Sequence, residues 1–214
     1  MRILSFLLML LFIAGCSSEK ATEANHDNSA SDPTEDFEVH NRSMSIYDEG
    51  HTGIELDAKE NDGLAWSKEI KFTKGRVEFD VRGENVRGKS FVGLAFNGKD
   101  NETYEAIYFR PFNFLADNQD NRNHMVQYIH HPEFTWFKLR EERTLEFETE
   151  IQDPPDPDGW FHAAVEVTSD SVFVFVENRP EPVLSVARLA DYRSSNLGYW
   201  VGHGSSGRFA NLMV

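Results

Sequence analysis

The stretch Gly75-Arg76-Val77-Glu78-Phe79-Asp80-Val81-Arg82 decides the fold, because its apolar and charged residues alternate. Successive side chains of a β-strand point to opposite faces, so Val77, Phe79 and Val81 share one face and the charged residues share the other. A strand with one apolar face needs a second layer that covers this face. The pattern therefore predicts a sheet that packs against a partner layer.

Similar short segments occur along residues 37–214, separated by turn sequences such as Asn97-Gly98-Lys99-Asp100. Segments 91–96 and 171–176 are apolar on both faces, which is typical of central strands covered on two sides. No segment has a helical period longer than two turns. The sequence predicts an all-β fold, a two-sheet antiparallel jelly-roll sandwich in one domain, residues 37–214. The other predicted strands are 43–47, 53–57, 69–72, 103–109, 125–129, 145–151, 161–168, 183–186, 197–201 and 208–214.

The N-terminus has the layout of a secretory signal, with a charged Arg2, an apolar run from Ile3 and small residues before Cys16. This run is too short to span a bilayer as a stable helix. Ile13-Ala14-Gly15-Cys16 resembles the lipobox of bacterial lipoproteins. The resemblance implies that residues 1–15 are a cleaved signal peptide, that Cys16 is lipidated, and that the lipid anchors the protein, with the outer membrane favoured. The alternative is an ordinary secretory signal in which Cys16 is incidental.

Residues 17–36 contain no valine, isoleucine, leucine or aromatic residue. Such a segment cannot bury enough apolar area to offset the entropy of ordering. We therefore expect residues 16–36 to form a disordered tether that starts at the lipidated cysteine.

The composition and motifs argue against several classes of ligand. The chain carries 21 Lys and Arg against 36 Asp and Glu, a net charge of −15, which excludes a nucleic-acid partner. His130 and His131 are adjacent and point to opposite faces, and the loop 117–121 lacks the spacing of a calcium loop. Residues 202–207 spell Gly-x-Gly-x-x-Gly, but a strand rather than a helix follows. The sequence predicts neither a metal nor a cofactor, and surface positions for the histidines.

Several blocks along residues 40–214 are similar to the concanavalin A-like lectin/glucanase superfamily, and within it to the 3-keto-disaccharide hydrolase domain family. The resemblance implies a sugar-facing sandwich and, for some members, hydrolysis of 3-oxidised glycosides. It transfers no catalytic residue, so the catalytic residues remain unknown. The blocks are Gly75–Arg82, Phe91-Val92-Gly93-Leu94-Ala95-Phe96, Tyr104-Glu105-Ala106-Ile107-Tyr108-Phe109-Arg110-Pro111, Val126-Gln127-Tyr128, Trp160-Phe161-His162 and Gly207-Arg208-Phe209-Ala210-Asn211-Leu212.

Segment 103–137 is the richest in side chains that suit a sugar, because aromatic rings pack on C–H faces and fixed polar groups bind hydroxyls. Alternation places Tyr104, Tyr108 and Arg110 on one strand face. The direction of Gln127 stays open, since either face of its strand is fit for burial. The predicted carbohydrate-binding or glycoside-binding residues are Tyr104, Tyr108, Arg110, Asn113, Gln127, Trp136, Trp200 and His203.

Carboxylates offer a weaker basis for catalysis. Glu78, Asp80 and Glu84 superficially resemble the Glu-x-Asp-x-x-Glu run of laminarinase-type hydrolases, but the last spacing is one residue longer. Glu78 and Glu84 would lie roughly 20 Å apart on a strand, against about 5 Å for a retaining pair. Glu105 and Glu133 are candidate acids by proximity alone. Three functions remain: a carbohydrate-binding protein, a 3-keto-glycoside hydrolase, and a structural or interaction protein.

Overall fold

The computed structural model describes residues 32–214. The predicted signal peptide, Cys16 and most of the predicted tether lie outside the described residues. Pro33–Asp36 forms a short 3-10 turn capped by Asp32, and Lys68 Nζ lies 2.6 Å from the carbonyl oxygen of Glu35. These four residues are the end of the segment 16–36, whose role as a disordered tether stays a prediction.

The described chain forms two antiparallel seven-stranded sheets, which confirms the predicted all-β sandwich. The front sheet has the strand order β1-β4-β13-β6-β7-β8-β9, and the back sheet has the order β12-β11-β10-β5-β14-β3-β2. The strands are β1 (Phe37–His40), β2 (Met44–Asp48), β3 (Thr52–Leu56), β4 (Gly63–Lys71), β5 (Gly75–Arg82), β6 (Val92–Gly98), β7 (Tyr104–Phe109), β8 (Val126–His131), β9 (Glu148–Thr149), β10 (Phe161–Val167), β11 (Ser171–Val176), β12 (Leu184–Ala187), β13 (Asn196–Val201) and β14 (Gly207–Met213).

Most of the predicted strands are present with small shifts in their ends. Val77, Phe79 and Val81 of β5 are fully buried between the sheets, as the alternation predicts. Strand β6 is buried along its whole length, as expected for a central strand covered on both sides. The same prediction for 171–176 is wrong, because β11 lies beside the edge strand β12 and the rings of Phe173 and Phe175 are only half-buried.

The remaining differences concern elements with weak sequence signals. Strand β1 was not expected, β4 starts six residues before the predicted 69–72, and β9 is much shorter than 145–151. Two short helices lie in the connections, α1 (Gln119–Arg122) and α2 (Trp136–Glu142), and a 3-10 turn covers Pro111–Asn113. Within residues 32–214, no helix has the length and apolar character required to cross a membrane.

A buried ion pair joins the two sheets at one end of the core. Glu105 of β7 is fully buried, and its carboxylate accepts from Arg188 Nη2 at 2.7 Å and from Asn97 Nδ2 at 2.5 Å. The Tyr128 hydroxyl also donates to Glu105. Arg188 follows β12 of the back sheet, so the pair ties β7 to the opposite layer. Glu105 is therefore a core residue and not an acid near the predicted site.

Candidate functional site

A cavity of about 700 Å³ opens on the outer face of the front sheet. Its floor follows from the register of neighbouring strands: Trp200 of β13 pairs with Gly93 of β6, which pairs with Tyr108 of β7. Gly93 carries no side chain, so the rings of Trp200 and Tyr108 approach to 4.9 Å between centroids. A Cβ atom at Gly93 would lie 2.0 Å from the carbonyl oxygen of Ile107. The close aromatic floor thus requires glycine at this position.

Further aromatic rings extend this floor into the walls of the cavity. Phe91 lies 6.1 Å from Tyr108 and 5.4 Å from Phe112, both in edge-to-face arrangements. Trp136 at the start of α2 also lines the cavity, and 46% of its surface is exposed. The cavity thus combines a buried aromatic floor with one ring that is free to contact a ligand.

Arg110 organises the polar end of the floor and is only 5% exposed. Its Nη2 donates to the Tyr108 hydroxyl at 2.6 Å and to Gln127 Oε1 at 2.5 Å, and its Nη1 donates to the His124 carbonyl at 2.9 Å. Gln127 pairs with Tyr108 in the sheet, so the two side chains share the outer face. This register settles the direction of Gln127. Burial lowers the pKa of Arg110 and raises the pKa of Tyr108 to about 12, so Tyr108 stays neutral at pH 7.

Glu148 lies next in the same row of the sheet, opposite Gln127, and is 2% exposed. Its Oε2 lies 2.7 Å from Arg140 Nη2, 2.7 Å from His124 Nδ1 and 3.5 Å from Arg110 Nη1. Burial alone would raise the pKa of Glu148, but the bond from Arg140 and the charges of both arginines outweigh it and lower the pKa. Glu148 is therefore ionised at neutral pH and holds the arginines in place.

The other end of the cavity carries Asp62, His131 and His203. The Tyr104 hydroxyl donates to Asp62 Oδ2 at 3.0 Å and accepts from Trp200 Nε1 at 3.2 Å. The Tyr104 ring stacks on His131 with centroids 5.1 Å apart. Burial raises the pKa of Tyr104 and lowers the pKa of His131, so both stay neutral at pH 7. This end presents a carboxylate and two imidazoles, which are hydrogen-bonding groups for hydroxyls.

The structure brings six of the eight predicted ligand-binding residues to this one cavity. Tyr104 and Gln127 are buried and do not line the cavity, but they contact residues that line it through the hydrogen bonds described above. The residues that line the cavity are Tyr108, Arg110, Asn113, Trp136, Trp200 and His203. No ligand is bound, so their binding role remains a prediction.

Sequence reasoning missed another set of residues that line the same cavity. Except for Arg140 in α2, those named below lie in connections or at strand ends, where no alternating pattern marks a direction. His124 and His131 are half-buried and His130 is buried, so the expected surface positions are wrong for these three. The missed residues include Asp62, Arg87, Phe91, Phe112, His124, His131 and Arg140.

The remaining carboxylate candidates lie elsewhere. Glu78 and Asp80 project from the outer face of the back sheet, where Asp80 contacts His162 Nδ1 at 2.8 Å and Asn211 Nδ2 at 2.6 Å. Glu133 is exposed in the connection after β8. Within the part of the chain described, no group of three or more histidine, cysteine, aspartate or glutamate side chains is arranged to hold a metal.

The fold is shared with solved structures of low sequence identity. A carbohydrate-binding module, CBM66 from Bacillus subtilis, matches with a TM-score of 0.59 and 14% identity, over 83% of this chain and 93% of that chain. A Bacillus subtilis protein of unknown function with a galectin-like fold matches with a TM-score of 0.54 and 10% identity, over 84% and 88%. The VIP36 exoplasmic/lumenal domain, bound to Ca²⁺ and Man3GlcNAc, matches with a TM-score of 0.52 and 13% identity, over 85% of both chains.

The chain therefore has a lectin-like β-sandwich fold of the galectin and concanavalin A type. No protein-family model and no curated protein matches it. The resemblance to the 3-keto-disaccharide hydrolase domain family thus stays a prediction, as does the lipoprotein signal.

Proposed function

We propose that the protein binds a carbohydrate in the cavity on its front sheet. The observation that carries this proposal is the row formed by Trp200, Gly93, Tyr108, Gln127 and Glu148 across five strands. This row places two aromatic rings beside a fixed polar network in a concave surface, the combination that orients a small ligand. The cavity volume also falls within the range of roughly 300–1,000 Å³ usual for such sites. A fold shared with a carbohydrate-binding module and with the Man3GlcNAc-bound VIP36 domain adds support.

Binding has more support than hydrolysis of a 3-keto-disaccharide. Most glycoside hydrolases need two carboxyl groups beside the scissile bond. Among the cavity-lining residues that the structure describes, Asp62 is the only aspartate or glutamate. Glu148 is ionised and committed to Arg140 and Arg110, so it is unsuited to donate a proton.

The cellular location is a separate proposal that rests on the sequence of residues 13–16. We propose that Cys16 carries the lipid and that the domain is held at the bacterial cell envelope, at the outer membrane. Replacing Cys16→Ser in the full chain should move the protein from the membrane fraction to the soluble fraction. A variant that remains with the membranes would contradict this proposal.

Carbohydrate binding is tested by applying the full chain to a glycan array and titrating the retained glycans. Trp136→Ala removes the exposed ring of the cavity and should weaken binding at least tenfold. Phe137→Ala is the matched control, because this neighbouring ring is 54% exposed and does not line the cavity. Retention of no glycan, or equal loss in both variants, would contradict the proposal.

A further inference from the structure

The two ends of the cavity differ in charge. Arg87, Arg110 and Arg140 line one end, whereas Asp62 lines the other. Tyr104, whose hydroxyl contacts Asp62, begins β7, and Arg110 directly follows the end of this strand, so their backbones are separated by six residues, roughly 20 Å in extended chain. A ligand that spans the floor therefore meets guanidinium groups at one end and a carboxylate at the other.

The arginines retain donors for a ligand. Arg140 uses Nε and Nη2 to bind Glu148, at 3.0 and 2.7 Å, and among the described residues its Nη1 has no hydrogen-bond partner. Arg87 uses one nitrogen, Nη2, for a 3.2 Å bond to Asn121 and is otherwise exposed. Arg140 also lies over the Trp136 ring, 5.3 Å from its centroid, which fixes its guanidinium at the wall of the cavity.

The nearby carboxylates cancel only part of this positive charge, because Glu148 offsets one of the three arginines. Glu148 is 2% exposed and does not line the cavity, so the guanidinium groups in front of it are what a ligand contacts. Asp120 lies 4.0 Å from His124 Nε2, but its carboxylate is almost fully exposed to solvent. Glu150 is paired with Arg122 at 3.2 Å. The chain has a net charge of −15, yet three arginines line this cavity. This local excess of basic side chains points to an anionic ligand.

We infer that the ligand is an acidic sugar, whose carboxylate or sulfate group binds Arg140 and Arg87 while its hydroxyls reach toward Asp62. This inference rests on the proposed carbohydrate binding and specifies the class of carbohydrate. Planar guanidinium groups bind carboxylate and sulfate oxygens through paired hydrogen bonds, and such charge-assisted bonds are stronger than neutral ones. The carboxylate of Asp62 would repel an anion, so it also fixes which end of the ligand lies where.

The test applies the full chain to an array that contains neutral, uronic-acid and sulfated glycans. We expect the retained glycans to be acidic. Comparing the uronic-acid glycans with the sulfated glycans shows whether the cavity binds a carboxylate or a sulfate group. Each retained glycan is then compared with its methyl-esterified or desulfated counterpart, which should bind at least tenfold more weakly. The preference should shrink as sodium chloride is raised, because salt screens the charges.

Two substitutions assign the preference to the cavity. Arg140→Gln and Arg87→Gln should each reduce the preference for the acidic form, and Arg87 makes no contact with a buried charge, so that variant should fold normally. Arg143→Gln is the matched control. Arg143 directly follows α2, pairs with the exposed Glu146 and lies outside the cavity. The Arg143→Gln variant should keep the preference of the parent chain for the acidic glycan.

Each outcome has a distinct meaning. Retention of neutral glycans only, or equal affinity for acidic and neutralised forms, would overturn the acidic-sugar inference and leave carbohydrate binding intact. Retention of no glycan at all would overturn both. An acidic preference that survives Arg140→Gln and Arg87→Gln would overturn the assignment to these arginines.

Discussion

Arg110 connects the aromatic floor of the cavity to the charged network behind it. Its guanidinium satisfies the Tyr108 hydroxyl, the Gln127 amide oxygen and the His124 carbonyl, and it lies 3.5 Å from Glu148. Removing one member of a buried polar network leaves its partners without hydrogen bonds. The residue therefore supports the fold and the site together.

Arg110→Ala should lower the free energy of unfolding by about 3 kcal/mol, because it leaves buried acceptors and part of the Glu148 charge uncompensated. Urea denaturation monitored by circular dichroism measures the change. Arg87→Ala is the control and should stay within about 0.5 kcal/mol of the parent chain, since Arg87 is exposed. Equal stability of Arg110→Ala and the parent would contradict the role of this network.

Glu148 should make stability depend on pH in the acid range. Its pKa is lower in the folded protein than the ordinary value near 4.3, so its contribution is full above that value and declines as the pH falls through the folded pKa. At pH 7, Glu148→Gln should reduce the free energy of unfolding by about 2–3 kcal/mol. Urea denaturation at pH 7, 5, 4 and 3 should show the parent and the variant converging as the pH falls. Parallel pH profiles would contradict this account.

Part of the candidate site could be predicted from single residues. The shared face of Tyr104, Tyr108 and Arg110 follows from alternation within one strand, which is a local property. The direction of Gln127 could not be predicted, because apolar residues occupy both faces of β8 and only pairing with β7 decides between them. Asp62 was missed for a similar reason: its contact with Tyr104 joins residues 42 positions apart.

Helix α2 is the element that brings Trp136 and Arg140 to the cavity. The helix begins after Thr135, whose hydroxyl accepts from the amide of Lys138 at 3.4 Å, and Leu139 is its one buried side chain. A seven-residue helix is marginal by itself, so this burial and the Arg140–Glu148 pair hold it in place. The position of two cavity-lining residues therefore depends on Leu139.

Leu139→Ala should loosen α2 and cost about 2–4 kcal/mol of stability. Hydrogen exchange measured by mass spectrometry should become faster in residues 136–142, and ligand affinity should fall although Leu139 does not line the cavity. Glu142→Ala, an exposed position at the end of the helix, is the control and should change neither. Unchanged exchange in Leu139→Ala would show that the helix is held by other contacts.

The strands of the two sheets were predictable where one face is buried and the other is solvated. The alternation of β5 is the clearest example. The start of β4 was missed because Leu64, Ala65 and Trp66 are all buried, so no alternation distinguishes a strand from another buried segment. The short strand β1 gains its structure from pairing with β4, and this pairing depends on contacts distant in sequence.

The pair formed by Glu105 and Arg188 joins the two layers of the sandwich within the core. Arg188→Ala should lower the free energy of unfolding by about 3–5 kcal/mol, since it leaves a buried carboxylate without its cation. The double variant Glu105→Gln with Arg188→Met should lose less, because no unpaired charge remains. Urea denaturation measures the free energy of unfolding of the single variant and of the double variant. Arg143→Ala, which removes an exposed ion pair, is the control and should cost at most about 1 kcal/mol.

The exposure of Trp136 has a practical consequence for the spectroscopy of this protein. Trp66 and Trp200 are almost wholly shielded from water and Trp160 is only partly exposed, whereas Trp136, which lines the cavity, is 46% exposed. A sugar that covers this ring should shift its emission toward shorter wavelengths and protect it from quenching by acrylamide. The native chain thus carries its own optical reporter of occupancy, and Trp136→Phe should silence most of the signal.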